Sequence, residues 1–82
     1  MAQDFKYEII NSIGTLSENG TWTKELNRIS WNGKEPKYDI RDWSNNHEKM
    51  GKGITLSELE LRKLKELIEE ELKILDSEID NN

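Results

Sequence analysis

The chain has 82 residues, no cysteine and a single histidine, His47. This length suits one domain with a thin core, and the composition excludes disulfides, thiolate metal sites and multi-histidine metal sites. The formal net charge is −5, but residues 1–56 are neutral overall and residues 57–82 carry the whole excess. The N-terminal part can therefore still present a basic surface to a polyanion.

Two strand-like segments open the chain. Residues 5–16 are rich in isoleucine and aromatic residues with partial alternation, which indicates a first strand. Ser17–Gly20 has the composition of a turn, because Asn and Gly tolerate positive φ. Residues 21–31 indicate a second strand.

A hairpin signal and a third strand follow. Asn32-Gly33 stands directly between two strand-like segments, which is a strong signal for a tight β-hairpin. Residues 37–43 alternate cleanly, as in a strand with two different faces. One face carries Tyr38 and Ile40, and the other carries Lys37, Asp39, Arg41 and Trp43.

The C-terminal half predicts a loop, a short strand and a long helix. Residues 44–53 are polar and indicate a loop, and residues 54–56 indicate a short fourth strand. Ser57 followed by Glu60 matches the capping box that starts a helix. A continuous apolar stripe then recurs at spacings of three and four residues: Leu61, Leu64, Ile68, Leu72, Leu75 and Ile79.

The predicted helix is more apolar than a small sheet requires. Leu59, Leu67 and Ile74 widen its stripe. We therefore expect the helix to pack on its own sheet and on a second copy of the chain, in a homodimer. The alternative is a core that is entirely intramolecular.

The elements together predict an α+β fold: a curved four-stranded antiparallel sheet followed by one long C-terminal helix. We expect one domain over residues 1–82, with frayed ends at about 1–4 and 80–82. No apolar run approaches the roughly 18 residues of a membrane span, and no signal-peptide pattern is visible. The expected location is the cytoplasm, or the nucleoid in a bacterium.

The sheet face that the helix leaves open has the composition of a binding surface for single-stranded nucleic acid. Trp22, Trp31 and Trp43 fall on or at the ends of predicted strands, each near basic residues. In such sites cations follow the phosphates and flat rings stack on unpaired bases. Trp43 and Trp31 are the preferred stacking candidates, whereas Trp22 is better explained as structural. The alternatives are that the tryptophans form the core, or that the sheet binds a peptide.

Catalytic chemistry is poorly supported. Asp39 and Asp42 flank Arg41 but fall on opposite faces of a strand, so they do not form an acid–base pair. His47 lies in a polar segment without a nucleophile or base nearby in sequence and is best explained as a surface residue. We expect no enzymatic activity, no metal and no cofactor.

Three short motifs precede the predicted helix: Trp31–Lys34 (WNGK), Tyr38–Trp43 (YDIRDW) and Met50–Leu56 (MGKGITL). Together, and in this order, they resemble the positive cofactor four family of transcriptional coactivators, and in particular its bacterial YdbC-like branch. The resemblance covers roughly residues 21–75. It implies four antiparallel strands and one helix, a dimer joined largely through the helices, and binding of single-stranded DNA with little sequence preference.

The resemblance also implies roles for individual residues. Trp31 takes the place of the aromatic residue that stacks on bases, and Lys34 that of the turn lysine. Arg41 and Lys52 take the places of basic residues that contact DNA. The family's second stacking residue aligns nearest to Ser44, beside Trp43. A bulge would bring Arg28 to the binding face. With the basic residues near the tryptophans, the predicted site comprises Lys24, Arg28, Trp31, Lys34, Lys37, Arg41, Trp43 and Lys52.

The predicted function is single-stranded DNA binding by a homodimer, in transcription or DNA maintenance. A protein-interaction module that uses the acidic helix or a sheet edge is the alternative from another class. Single-stranded RNA is also open as the ligand, because recognition of the 2′-hydroxyl leaves no motif in this sequence.

Overall fold

The computed structural model describes residues 6–80, with side chains described for residues 6–78. Four strands form one antiparallel sheet in sequence order, and a helix follows. The elements are β1 (Tyr7–Asn19), β2 (Trp22–Trp31), β3 (Lys37–Trp43), a short 3-10 helix (Asn45–His47), β4 (Met50–Leu56) and α1 (Glu58–Asp80). The predicted α+β architecture is confirmed. The ends predicted to fray at 1–4 and 81–82 lie outside the described residues, and α1 includes residue 80.

Two strands are longer than predicted. β1 continues to Asn19 because Ser17 pairs with Lys24 and Asn19 pairs with Trp22, so only Gly20 and Thr21 remain for the turn. β4 begins at Met50, within the predicted loop, because Met50 pairs with Trp43 and Gly53 pairs with Arg41. In both places the ladder to a neighbouring strand overrides the local preference for a turn.

Asn32-Gly33 forms the predicted tight turn, but the connection from β2 to β3 is longer than a two-residue hairpin and comprises residues 32–36. Asn32 and Gly33 both have positive φ, 52° and 75°, which a two-residue turn between twisted strands requires. The Lys34 N–H donates to the Trp31 carbonyl at 2.9 Å, and the Ser30 hydroxyl donates to the Lys34 carbonyl at 2.6 Å. These bonds fix the end of β2, where Trp31 lies.

Three irregularities bend β1. Its register against β2 shifts between Ile9 and Asn11, between Ser12 and Gly14, and between Thr15 and Ser17. The extra residues at these shifts are apolar and exposed: Ile10, Ile13 and Leu16. Because each bulge increases the local twist of a strand, three in one strand curve this edge of the sheet strongly.

The helix begins with the predicted capping box. The Glu60 N–H donates to the Ser57 hydroxyl at 3.1 Å, and the Ser57 N–H donates to the Glu60 carboxylate at 2.8 Å. The helix α1 contacts β3 and β4, and a groove of about 320 Å³ between α1 and the sheet is lined mainly by Leu16, Leu26, Ile40, Leu61, Leu64 and Ile68. We call the sheet face that carries Leu26 and Ile40 the helix face.

The core lies on the opposite face, which we call the inner face. The register places Glu25, Asn27, Ile29 and Trp31 of β2 on this face with Lys37, Asp39, Arg41 and Trp43 of β3. Four of these residues are at most 1% exposed: Asn27, Ile29, Asp39 and Trp43. Because α1 packs on the other face, the described contacts that bury these residues come from the curved sheet and from His47 of the 3-10 helix, which packs on Trp43.

Candidate nucleic-acid interface

A series of packed rings crosses the inner face. The Trp31 ring lies 5.9 Å from the ring of Tyr7, and the Tyr7 ring lies 5.5 Å from that of Trp43. Trp43 in turn meets the His47 imidazole edge-on at 4.8 Å. Trp31 is partly exposed at the hairpin end of this series.

Hydrogen bonds to Asp39 fix the Arg41 side chain beneath the Trp31 ring. Its guanidinium donates two hydrogen bonds to the Asp39 carboxylate, at 2.6 Å and 2.8 Å, and lies 5.0 Å from the centre of the Trp31 ring. The Thr55 hydroxyl donates to the same carboxylate at 3.0 Å. The side chains of Arg41 and Asp39 are 14% and 0% exposed. A bidentate, buried pair of this kind orients the cation and holds the ring above it.

Gly53 lets β4 approach this pair. A β-carbon at Gly53 would overlap Arg41 Cβ and the Ile40 carbonyl oxygen. Only glycine therefore fits where β4 crosses Arg41, and the packing under Trp31 depends on it.

A second polar cluster, centred on Glu25, lies at the other end of the inner face. The Glu25 carboxylate accepts hydrogen bonds from the Thr23 hydroxyl at 2.6 Å and the Asn27 amide at 3.1 Å, and pairs with His47 Nε2 at 2.9 Å. Burial raises the pKa of Glu25, but the bonds from Thr23, Asn27 and His47 outweigh burial and place the pKa below its ordinary value. The Glu25 carboxylate is thus an anion whose hydrogen bonds are supplied by neighbouring side chains.

The sequence comparisons identify the family to which this geometry belongs. A sequence model of the family "Transcriptional Coactivator p15 (PC4)" matches residues 18–67. These residues contain β2, β3, β4 and the first half of α1, and include Trp31, Arg41 and Gly53. The chain belongs to the PC4 family.

A bacterial relative matches over a longer stretch. An uncharacterised protein of Treponema pallidum (strain Nichols) is 52% identical over 66 residues, which cover 79% of this chain and 78% of the relative. The resemblance inferred from the three motifs is therefore confirmed at the level of the PC4 family.

Membership supports a general property, nucleic-acid binding by a non-enzymatic domain. Over the described residues, no cluster of three or more His, Cys, Asp or Glu side chains is arranged to hold a metal ion. Within the same part of the chain, no helix is both long and apolar enough to cross a membrane.

Trp43 is placed differently from the prediction for this PC4-family domain. The register puts it on the inner face with Lys37 and Arg41, as predicted, but its side chain is 0% exposed. Tyr7 and His47 pack against its ring. Base stacking on Trp43 stays a prediction, and the ring would have to be uncovered before a base could reach it.

The predicted cations do not all share one surface of the PC4-family fold. Lys24 and Arg28 lie on the helix face, where Lys24 pairs with Asp42 at 2.9 Å and Arg28 lies over the Tyr38 ring at 5.9 Å. The expected bulge that would bring Arg28 to the inner face is absent from the β2–β3 pairing, whose register is continuous. Asp42 also faces away from Asp39, as predicted.

The other four predicted basic residues lie on β3, in the hairpin and on β4. Arg41 is held by Asp39, as described above. Lys34 is exposed in the hairpin, and Lys52 is exposed in β4 between two glycines. Lys37 is exposed at the start of β3, close enough to α1 for its charge to contribute to the lowered pKa of Glu60.

Two further tryptophan and tyrosine positions complete the site description. Trp22 is 37% exposed and lies on the helix face, away from Trp31, so it is neither core nor part of the inner face. Tyr7, which the sequence analysis did not select, contacts both inner-face tryptophans. The alternation of Tyr7 with Lys6 and Glu8 was the available signal.

Proposed function

We propose that this protein binds single-stranded DNA with little sequence preference, as a homodimer, in transcription or DNA maintenance. The observation that carries the proposal is the position of Trp31. Trp31 is partly exposed at the hairpin end of the inner face, its ring lies against the Arg41 guanidinium, and it directly precedes the turn that leads to Lys34. A fixed ring beside a mobile cation suits a base and its phosphate.

The preference for a single strand follows from the stacking. Bases in a duplex are already stacked on their neighbours, whereas unpaired bases present a free face to a protein ring. Within residues 6–80, the α-helix packs on the other face, so the inner face presents no α-helix that could enter a major groove. Stacking also tolerates any base, which supports weak sequence preference.

The electrostatics of the inner face favour a polyanion despite the net charge. Its carboxylates on β2 and β3, Glu25 and Asp39, are satisfied by protein donors. Lys34, Lys37 and Lys52 are exposed. The excess negative charge belongs to residues 57–82, chiefly α1, which packs on the other face. These exposed lysines are available to the phosphates of a bound strand.

The homodimer is supported by apolar surface that one chain leaves uncovered. The side chains of α1 beyond its first turns are exposed: Leu67, Ile68, Leu72, Ile74 and Leu75. The bulged residues of β1, Ile10, Ile13 and Leu16, are also exposed, and Leu16 joins the groove beneath α1. A surface this apolar is typical of an interface, and a second copy offers a matching one.

Sizing by light scattering tests the dimer. We expect twice the chain mass of 9.7 kDa for the protein and a monomer for the double variant Ile68→Glu/Leu72→Glu, because two carboxylates cannot be buried in an apolar interface. Lys73→Glu, an exposed position on the same helix, should remain dimeric. A monomeric wild-type chain at micromolar concentration would contradict the dimer.

Binding of labelled oligo-dT, oligo-rU and a matching DNA duplex across a salt series tests the function. We expect oligo-dT to bind and the duplex to bind far more weakly. The affinity should fall steeply as the salt concentration rises, because binding releases counterions and this release is less favourable at high salt. Lys34→Gln should reduce the slope of log binding constant against log salt concentration by about 0.7 in magnitude, which is the value for one phosphate of a single strand. Lys24→Gln, on the helix face, is the matched control and should leave the slope unchanged.

The same titrations separate the alternatives. Stronger binding of oligo-rU than of oligo-dT would assign the site to RNA. Equal affinity for the duplex, or no binding of any oligonucleotide at low salt, would refute the proposal. In that case a protein partner for the exposed apolar helix becomes the remaining function.

A further inference from the structure

The imidazole of His47 lies on the inner face, at the end opposite to Trp31. Its side chain is 41% exposed, and its described side-chain contacts are the Glu25 carboxylate and the Trp43 ring, both of the inner face. His47 is the single histidine of the chain. Histidine is also the side chain whose charge ordinarily changes near neutral pH, so the charge at this end of the inner face can change there.

The backbone around the short 3-10 helix holds the imidazole in this position. Asn46 and His47 both have positive φ, 60° and 58°, which is uncommon for residues other than glycine. The Ser44 N–H donates to the Lys49 carbonyl at 2.9 Å, and the Lys49 N–H donates to the Ser44 hydroxyl at 2.7 Å. These two bonds close the base of the loop, and its left-handed residues return His47 onto the inner face. Costly backbone conformations of this kind concentrate at functional positions.

Glu25 determines which imidazole nitrogen always carries a proton. Burial raises the pKa of Glu25, but hydrogen bonds from three neighbours lower it below its ordinary value, so the carboxylate is an anion at neutral pH. Because an ionised carboxylate only accepts, Nε2–H of His47 donates to it, at 2.9 Å and 3.1 Å from the two oxygens. No group among the described residues bonds to Nδ1.

Protonation therefore changes what this end of the inner face offers to an anion. In the neutral imidazole Nδ1 is an acceptor and the charge of Glu25 is uncompensated, and both repel a phosphate. In the imidazolium Nδ1 becomes a donor and the charge of Glu25 is compensated. From β2 the charged group that faces the imidazole is Glu25, and from β3 it meets Trp43, which does not titrate. Glu48 and Lys49, exposed beside it in the chain, carry opposite charges.

We infer that His47 is a phosphate-binding residue of the single-stranded DNA site and binds through Nδ1 when its imidazole is protonated, an inference that rests on the proposed function. The affinity for single-stranded DNA then increases as the pH falls through the range in which histidine takes up a proton. His47 lies between the second and third sequence motifs, so the family resemblance assigned it no role.

The affinity of the untagged chain for oligo-dT, measured at constant salt from about pH 8 to about pH 6, tests the inference. The wild-type protein should bind about threefold to tenfold more tightly at the lower pH, as expected for one exposed hydrogen bond from a charged donor. His47→Gln keeps an N–H donor for Glu25 but cannot take up a proton, and it should lose this increase. Lys24→Gln, the control on the helix face, should retain it. A wild-type affinity that does not change with pH, or the same increase in His47→Gln, would overturn the role of His47.

Nuclear magnetic resonance of the wild-type chain gives a second measurement that does not depend on a variant folding. Because the chain has one histidine, the carbon-bound imidazole protons of His47 are assigned without ambiguity. Binding and protonation are linked reciprocally, so saturating oligo-dT should move the titration midpoint of these signals to higher pH. Binding of oligo-dT with an unchanged or lower midpoint overturns the inference alone, whereas no binding at any pH overturns the proposed function with it.

Discussion

Trp43→Ala should lower the free energy of unfolding by about 3–5 kcal/mol, the cost of deleting a large buried aromatic side chain. The ring is fully buried on the inner face and contacts both Tyr7 and His47. Small domains have thin cores, so this loss is a large part of the total stability. Urea denaturation followed by circular dichroism, at one fixed protein concentration, measures it.

Two other substitutions show whether burial is the cause. Trp43→Phe should lower the free energy of unfolding less than Trp43→Ala does. It keeps a ring, and it removes an indole N–H that is buried without an acceptor among the described residues. Trp22→Ala should also lower the free energy of unfolding less than Trp43→Ala does, because Trp22 is partly exposed on the helix face. Equal losses for Trp22→Ala and Trp43→Ala would contradict the placement of the core on the inner face.

Asp39→Asn should be the second severe change, with a loss of about 3 kcal/mol in the free energy of unfolding. The substitution keeps the shape of the side chain but leaves the Arg41 guanidinium largely buried without its anion, which costs roughly 3–5 kcal/mol when a buried pair is broken. The partial exposure of Arg41 places the expected loss at the lower end of that range.

Asp42→Asn is the matched control on the same strand. Its partner Lys24 is 46% exposed and Asp42 itself is 41% exposed, so the loss should be about 0–1 kcal/mol. Asp39→Asn should also weaken oligo-dT binding, because Arg41 no longer holds the Trp31 ring, whereas Asp42→Asn should not. Similar stability of the two variants would show that the Asp39–Arg41 pair does not organise the inner face.

Local sequence rules predicted the parts of the fold that depend on neighbouring residues. Asn32-Gly33 specifies a tight turn by its own conformational preferences, and Ser57 with Glu60 specifies a helix start by two reciprocal bonds. Strand ends were less predictable. Ser17–Asn19 has turn composition and yet pairs with β2, because the ladder is decided by the partner strand.

Alternation predicted which face of β3 each residue occupies, but it could not predict exposure. Trp43 shares its face with Arg41, as the period of two requires. Whether that face is open or closed depends on curvature, which arises from the three shifts of β1 against β2. The signal for this curvature was the three-residue spacing of Ile10, Ile13 and Leu16, which breaks the alternation of a flat strand.

The position of a candidate residue on the sheet could be predicted from a motif or from strand alternation, but not from proximity in sequence to a tryptophan. Trp31 and Lys34 follow from the hairpin. Lys24 and Arg28 were selected because they are near tryptophans in the sequence, but their positions on β2 place them on the helix face. Tyr7 was missed because its contacts join residues far apart in sequence.

The three tryptophan indole N–H signals in a nitrogen-15 correlation spectrum, recorded during titration with oligo-dT, test the central claim most directly. Trp31 lies at the open end of the inner face, and Trp22 lies on the helix face. We predict that the Trp31 signal shifts strongly while the Trp22 signal stays in place. A shift of Trp22 with no change at Trp31 would contradict binding at the inner face.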